Sequence, residues 1–140
     1  MEKDVLFLLK KATDGVEKLA NKSLKDKNIT LAQCGFLSYL NEKENNIASL
    51  KELEKHFEVS QATLQGTAAR LECKKLIELV GDAKDKRIKL AKLTALGIQA
   101  FKEADRLRAK NDEFILADFT EDEKKVFKEL LLKVHKKIQP

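Results

Sequence analysis

The stretch from Ser49 to Thr94 most constrains what this chain can fold into. Its first part places two short helical periods on either side of a tight connection. Ser49 is positioned to cap the first helix, with Glu52 three residues on to close a capping box. Leu50, Leu53 and Phe57 then recur at helical spacing and define one apolar face. Val59 breaks that pattern, and Ser60 is a second capping candidate. Leu64, Thr67, Ala68 and Leu71 would face inward on the helix that follows, leaving Gln61, Ala62, Gln65, Gly66, Ala69 and Arg70 outside. A solvated helix face normally carries Lys and Glu, whereas this one is small and uncharged until Arg70. Small residues and amides suit a face pressed into a groove, where a Gln side chain can pair with base edges.

The second part predicts a β-hairpin. Leu76 to Val80 is a short apolar run, Gly81 and Asp82 punctuate it, and Arg87 to Leu90 alternates with Ile88 and Leu90 on the inner side. The tip carries Lys84, Lys86 and Arg87, with Asp82 and Asp85 between them. Such a tip is either simply solvated, as charged turns often are, or it reaches a phosphate backbone or a minor groove, where Arg and Lys are favoured electrostatically.

On either side the pattern is long amphipathic helix. Val5, Leu8, Leu9, Ala12, Val16, Leu19, Ala20 and Leu24 form one stripe over residues 3 to about 26, longer than so small a domain can cover by itself; a partner chain is the expected cover. Thr30 and Gln33 make a capping box for the next helix, whose buried side carries Phe36, Leu37, Tyr39 and Leu40. Ile47 is placed to add a third strand to the hairpin. Thr94 caps a helix running to about Ala117, with Leu96, Ala100, Phe101, Ala104, Leu107 and Ile115 on its inner face. Thr120 and Glu123 form another capping box, and Phe127, Leu130, Leu131, Val134 and Ile138 mark the last stripe. With a single Pro, at position 140, and five Gly, a chain of 140 residues is expected to be mainly helical.

The charge balance fits the grooved face. The net charge is +5, and over residues 82–92 Lys84, Lys86, Arg87, Lys89 and Lys92 stand against Asp82 and Asp85, a local net of +3. A basic bias of this kind fits nucleic-acid binding without demanding it. The apolar run from Val5 to Leu9 is too short for a signal core or a membrane span, so a cytoplasmic protein without membrane contact is expected, with Cys34 and Cys73 as reduced thiols.

Catalysis finds no support. His56 and His135 are far apart and lack partners; no Gly-rich phosphate loop, zinc spacing or other metal or cofactor motif occurs. No catalytic residue, metal or cofactor is assigned. Cys73 stands beside Lys74 and Lys75, which would favour its thiolate, so it is a candidate redox thiol; the plainer alternative is a small half-buried residue. Cys34 has apolar neighbours and is expected to be inert.

The order helix, helix, strand, D-x-K-D-x-R tip, strand and L-T-x-x-G resembles the winged-helix regulators of the MarR/SlyA family. The residues that carry the resemblance are Leu50, Leu53, Val59, Ser60, Arg70, Leu71, Asp82, Asp85, Lys86, Arg87, Leu93, Thr94 and Gly97. Upstream, Ile29-Thr30-Leu31 and Gln33 look like that family's L-T-x-x-Q entry to its second helix. Two features depart from the family: Lys75 stands where Gly is usual, so that a left-handed Lys would cost about 1 kcal/mol, and no basic residue occupies the first turns of the recognition helix.

The resemblance implies a mainly α winged helix-turn-helix fold with a small β-hairpin wing and long dimerisation helices at both ends. The expected organisation is 1–45 for N-terminal dimerisation and support helices, 46–93 for the DNA-binding region and 94–140 for C-terminal dimerisation helices, as one intertwined domain. The implied function is a homodimeric, sequence-specific transcriptional regulator, a repressor relieved by a small molecule or an oxidant, reading a pseudo-palindromic operator in double-stranded DNA. In it Gln61, Thr63 and Gln65 would contact bases, Ser60 and Arg70 phosphates, and Lys84, Lys86 and Arg87 the backbone or minor groove, with Asp82 or Asp85 orienting Arg87. A small aromatic ligand would be lined by Phe36, Tyr39 and Phe101, unless these are core residues. The alternative is an interaction module that dimerises or binds another regulator without reading DNA.

Overall fold

The computed structural model describes residues 4–139. The elements run α1 (Val5–Leu24), a 3-10 turn (Lys25–Lys27), α2 (Leu31–Glu42), β1 (Ile47–Ser49), α3 (Leu50–Phe57), α4 (Gln61–Cys73), β2 (Ile77–Gly81), β3 (Lys89–Leu93), α5 (Ala95–Ile115) and α6 (Glu121–Ile138). The chain divides into two units, Met1–Leu107 and Arg108–Pro140. The fold is that expected: mainly helical, with a small three-stranded antiparallel sheet as the wing.

Helix starts follow the capping chemistry. Thr30 Oγ1 accepts from Gln33 N at 3.1 Å, and Gln33 Oε1 accepts from Thr30 N at 3.3 Å, closing the box in front of α2. Thr120 and Glu123 close a second box in front of α6. Ser49 makes only half of the expected one. Its hydroxyl accepts from Glu52 N at 3.0 Å, but the Glu52 carboxylate instead takes the Tyr39 hydroxyl at 2.6 Å and Lys43 at 3.1 Å. The Tyr39 hydrogen bond and then Lys43 hold that carboxyl below the usual range. The carboxylate thus pairs with Tyr39 of α2 and with the Lys43 ammonium just past it in place of the local cap, gaining a full cation as neighbour.

The core of the first unit joins Phe36, Leu37 and Leu40 of α2, Leu53 of α3, Leu64, Ala68 and Leu71 of α4, Ile77 of β2, and Ala91 and Leu93 of β3. The first half of α5 packs on it through Ile98, Ala100, Phe101, Ala104 and Leu107. Leu96 and Ile115, expected inside, are 51% and 43% exposed; buried Gly97, not Leu96, faces the core at the first turn. On α1 only Leu24 is buried, and Val5, Leu8 and Val16 lie exposed.

The wing is three-stranded in the order β1-β3-β2, with Ala48 opposite Ala91 and Leu79 opposite Ala91 on the other side. Both hairpin strands start later than expected. Asp82 N donates to the Ile88 carbonyl at 2.9 Å and Ile88 N to the Asp85 carbonyl at 3.0 Å, so Arg87 and Ile88 belong to the turn. The inner face is therefore Ala91 and Leu93, while Ile88 is 42% exposed. Side chains alternate along the strand, so with Ala91 and Leu93 inside, Leu90 falls on the opposite face from the one expected.

Between α4 and β2 the chain closes a Schellman turn: Leu76 N donates to the Leu71 carbonyl at 3.0 Å and Lys75 N to the Glu72 carbonyl at 2.8 Å. The residue that must be left-handed is Lys75, at φ 65°. Lys75→Gly is expected to raise stability by about 1 kcal/mol, the cost of a side chain in that conformation, read as a higher urea midpoint at unchanged m-value.

In the second unit the rings of Phe119 and Phe127 meet at 5.3 Å. No residue of α6 is buried, and Val126, Phe127, Leu130, Leu131, Leu132 and Ile138 are exposed. Among the described residues no helix is long and apolar enough to cross a membrane.

Candidate nucleic-acid interface

The helix α4 starts at Ser60, whose hydroxyl accepts from Thr63 N at 3.1 Å and donates to Thr63 Oγ1 at 2.9 Å. The Thr63 hydroxyl oxygen is thereby engaged in the cap as an acceptor. Burial of Leu64, Ala68 and Leu71 turns the opposite side outward, and Gln61, Ala62, Thr63, Gln65, Ala69 and Arg70 are exposed. Gln61 and Gln65, four apart, share one face. The Arg70 guanidinium folds back along the helix, its Nη1 3.4 Å from where a Cβ on Gly66 would sit. The only basic residue α4 presents is thus near its C-terminal end.

At the wing tip the two acids differ. Asp82 Oδ1 accepts the Lys84 amide at 2.9 Å and shapes the turn. Asp85 accepts the Arg87 amide and, bidentately, its Nε and Nη2, each at 3.0 Å. That hydrogen bonding from Arg87 lowers the Asp85 carboxyl below its ordinary range and raises the guanidinium. Arg87 is nonetheless 91% exposed, and Lys84 and Lys86 are exposed with it. A guanidinium fixed by one carboxylate edge keeps its remaining donors directed outward. The wing is tied to α4 by Glu72, whose Oε2 accepts the Leu79 amide at 3.2 Å.

Cys73 is exposed. Its neighbour Lys74 has its ammonium on the Asn28 carbonyl and on Gln33 Oε1, not on the thiol as sequence adjacency implied. Cys34 is half-buried, and burial pushes its thiol up, against the opposing field of Lys74. Phe36, Tyr39 and Phe101 are not among the residues lining a cleft beside Lys74. Phe36 is 1% exposed in the core, Tyr39 stacks on His56 at 4.4 Å, and Phe101 packs against the core. This cleft, about 230 Å³, is lined by Lys27, Asn28, Ile29, Lys74, Leu76, Ala100, Glu103 and Ala104. Sequence reasoning missed the roles of Lys74 and Glu72, because the partners of Lys74 lie 46 and 41 residues away. No cluster of potential metal ligands occurs among the described residues.

Residues 27–88 match the model of the MarR family. The HTH-type transcriptional regulator YxaD of Bacillus subtilis is 37% identical over 89 residues, 64% of this chain and 62% of that protein, so the match spans less than two-thirds of the relative's length. Apo MarR from E. coli superimposes with a TM-score of 0.82 at 26% identity, covering 94% of this chain and 96% of that one. A MarR variant from E. coli complexed with operator DNA gives 0.78 at 26%, covering 91% and 90%. The sequence match over the helix pair and wing, with the fold around it, makes the chain similar to the MarR family of winged helix-turn-helix transcriptional regulators.

Proposed function

We propose that this chain acts in the cytoplasm as a homodimeric, sequence-specific DNA-binding repressor. The observation that carries the proposal is the outer face of α4: capped at Ser60, free of charge until Arg70, offering Gln61 and Gln65 side by side. A Gln side chain can pair bidentately with adenine in the major groove. Ser60 and Arg70 sit at the two ends of that face to meet phosphates, and Lys84, Lys86 and Arg87 reach the backbone or the minor groove. Thr63, whose hydroxyl oxygen accepts from Ser60 in the cap, would contact bases through its methyl group and its own O–H. Residues 46–93 would do the reading, and 1–45 and 94–140 the dimerising. The exposed apolar residues of α1 (Val5, Leu8, Val16), and separately those of α6 (Val126, Leu130, Leu131), are what a partner chain would cover. Two-fold symmetry then calls for a pseudo-palindromic operator with half-sites about 10 base pairs apart or a multiple of that. Relief would come from a small molecule held in the cleft beside Lys74 or from oxidation of exposed Cys73. The MarR variant solved with operator DNA supports the reading by likeness.

The test is binding to a duplex from the chain's own upstream region against a scrambled duplex, at two salt concentrations. The expected result is selective binding that falls steeply with salt, because phosphate contacts release counterions. Weak, unselective binding would favour the second reading, a protein-interaction module, which the lack of a cation in the first turns of α4 keeps in view. Gln65→Ala should flatten the preference among operator variants while leaving non-specific affinity unchanged; a uniform loss on every duplex would argue against base reading.

A further inference from the structure

The recognition helix is held from behind by a residue that the sequence marked only as a neighbour of Cys73. We propose that Lys74 is a positioning residue: its ammonium, held between the Asn28 carbonyl and Gln33 Oε1, fastens the C-terminal end of α4 to the turn between α1 and α2, and so sets how α4 is presented. The proposal rests on the DNA-binding reading above.

Gln33 is the polar residue in the buried set, 4% exposed. Its Oε1 takes the Thr30 amide at 3.3 Å as well as Lys74 at 2.8 Å. One oxygen thus ends the α1–α2 turn and anchors α4. The backbone on both sides is committed to the same geometry, with Asn28 at φ 54° and Lys75 at φ 65°. The turn is also gripped from α5: Lys27 meets Glu103 at 3.0 Å, and Glu103 meets Arg106 at 2.7 Å. Arg106 and then Lys27 hold the Glu103 carboxyl down to about 2. The segment after Lys74 closes the ring, since the Leu76 carbonyl accepts the Thr94 amide at 3.1 Å at the start of α5. The turn, the end of α4 and the first half of α5 therefore form one closed joint around the cleft. Two of the three ammonium hydrogens of Lys74 are spent inside this joint, so Lys74 acts on DNA through the placement of α4 and not by touching phosphate.

The experiment uses the full chain, as wild type, Lys74→Met and Lys74→Arg, against a duplex enriched from a random library on wild type and against a scrambled duplex. Lys74→Met keeps the stem and removes the ammonium. It is expected to lower affinity for the enriched duplex about tenfold, with scrambled-duplex affinity and salt slope unchanged, and Lys74→Arg to restore most of the loss. Amide exchange should rise in Lys74→Met at residues 28–33 and 74–76 and stay low in Lys74→Arg. Unchanged affinity overturns the proposal. So does an equal loss on both duplexes with the salt slope reduced by about 0.9, which marks a phosphate contact. If Lys74→Met does not fold, Lys74→Arg decides by the same two readouts, wild-type exchange and selectivity upholding the joint and their loss overturning it. Should wild type enrich no duplex, the DNA reading fails by itself, and the exchange comparison decides the joint: raised exchange confined to those segments upholds it and unchanged exchange overturns it.

Discussion

Gly97→Ala is expected to destabilise the chain by about 3 kcal/mol, the upper end of the cost of overpacking. A Cβ on Gly97 would lie 2.0 Å from the Leu76 carbonyl oxygen and 3.0 Å from both the Leu76 carbonyl carbon and Leu93 Cδ2. The obstruction is backbone, which cannot rotate away as a side-chain tip can. Nor is the Leu76 carbonyl free to retreat, because it accepts the Thr94 amide. Thr94 in turn donates to the Lys75 carbonyl at 2.8 Å and caps α5 by accepting the Gly97 amide at 3.0 Å. Relief therefore requires lifting the start of α5 off the wing, at the expense of the contacts made by Ile98 and Phe101. The measurement is urea denaturation, with a large fall in midpoint at an unchanged m-value. Gly15→Ala is the internal control: its Cβ would meet nothing within 4 Å, so it should instead stabilise α1 by about 1 kcal/mol through helix propensity. Equal behaviour of the two substitutions would contradict the close approach of α5 to Leu76.

That contrast also marks what could be read from the residues alone. Thr94 and Gly97 were visible as a cap and a spaced glycine, because a cap is local chemistry. The reason for the glycine was not, since it lies in a carbonyl that the fold carries up from residue 76. The capping boxes at Thr30 and Thr120 were legible for the same reason; that at Ser49 failed where Tyr39, ten residues upstream, offered Glu52 a stronger partner. The wing was legible as a hairpin but not in register: Ile88 and Leu90 outweigh Ala91 in any apolar count, and only the hydrogen bonds of the turn show that Ala91 faces the core. The exposure of Gln61, Ala62, Gln65, Ala69 and Arg70 on α4 was legible because burial of Leu64, Ala68 and Leu71 fixes the helical face, although Gly66, expected outside, is half-buried. Lys74 gave no local signal, as a lysine near a helix end is expected to be solvated.

At the wing, Arg87→Ala is expected to weaken binding to the operator about ten- to a hundredfold and to lower the salt slope by about 0.9, while thermal stability and oligomeric state stay as in wild type. The separation follows from geometry. Arg87 is 91% exposed, so the fold gains little from it, and its pairing with Asp85 spends Nε and Nη2 on directing the guanidinium. The folded pKa of Asp85 is depressed, so this pairing is present above the ordinary carboxylate range and is lost only as pH falls through the lowered value. At neutral pH the guanidinium is therefore already fixed, and a phosphate meeting it need not pay the full cost of ordering a long side chain. Arg87→Lys keeps the charge and should restore the salt slope but only part of the affinity, since an ammonium cannot grip Asp85 and a phosphate through one planar fork. Asp85→Asn should behave likewise, with slope retained and affinity reduced, because it frees the guanidinium without removing it. If Arg87→Ala left both affinity and slope unchanged, the wing tip would be a solvated turn, and the reading of DNA would rest on α4 alone.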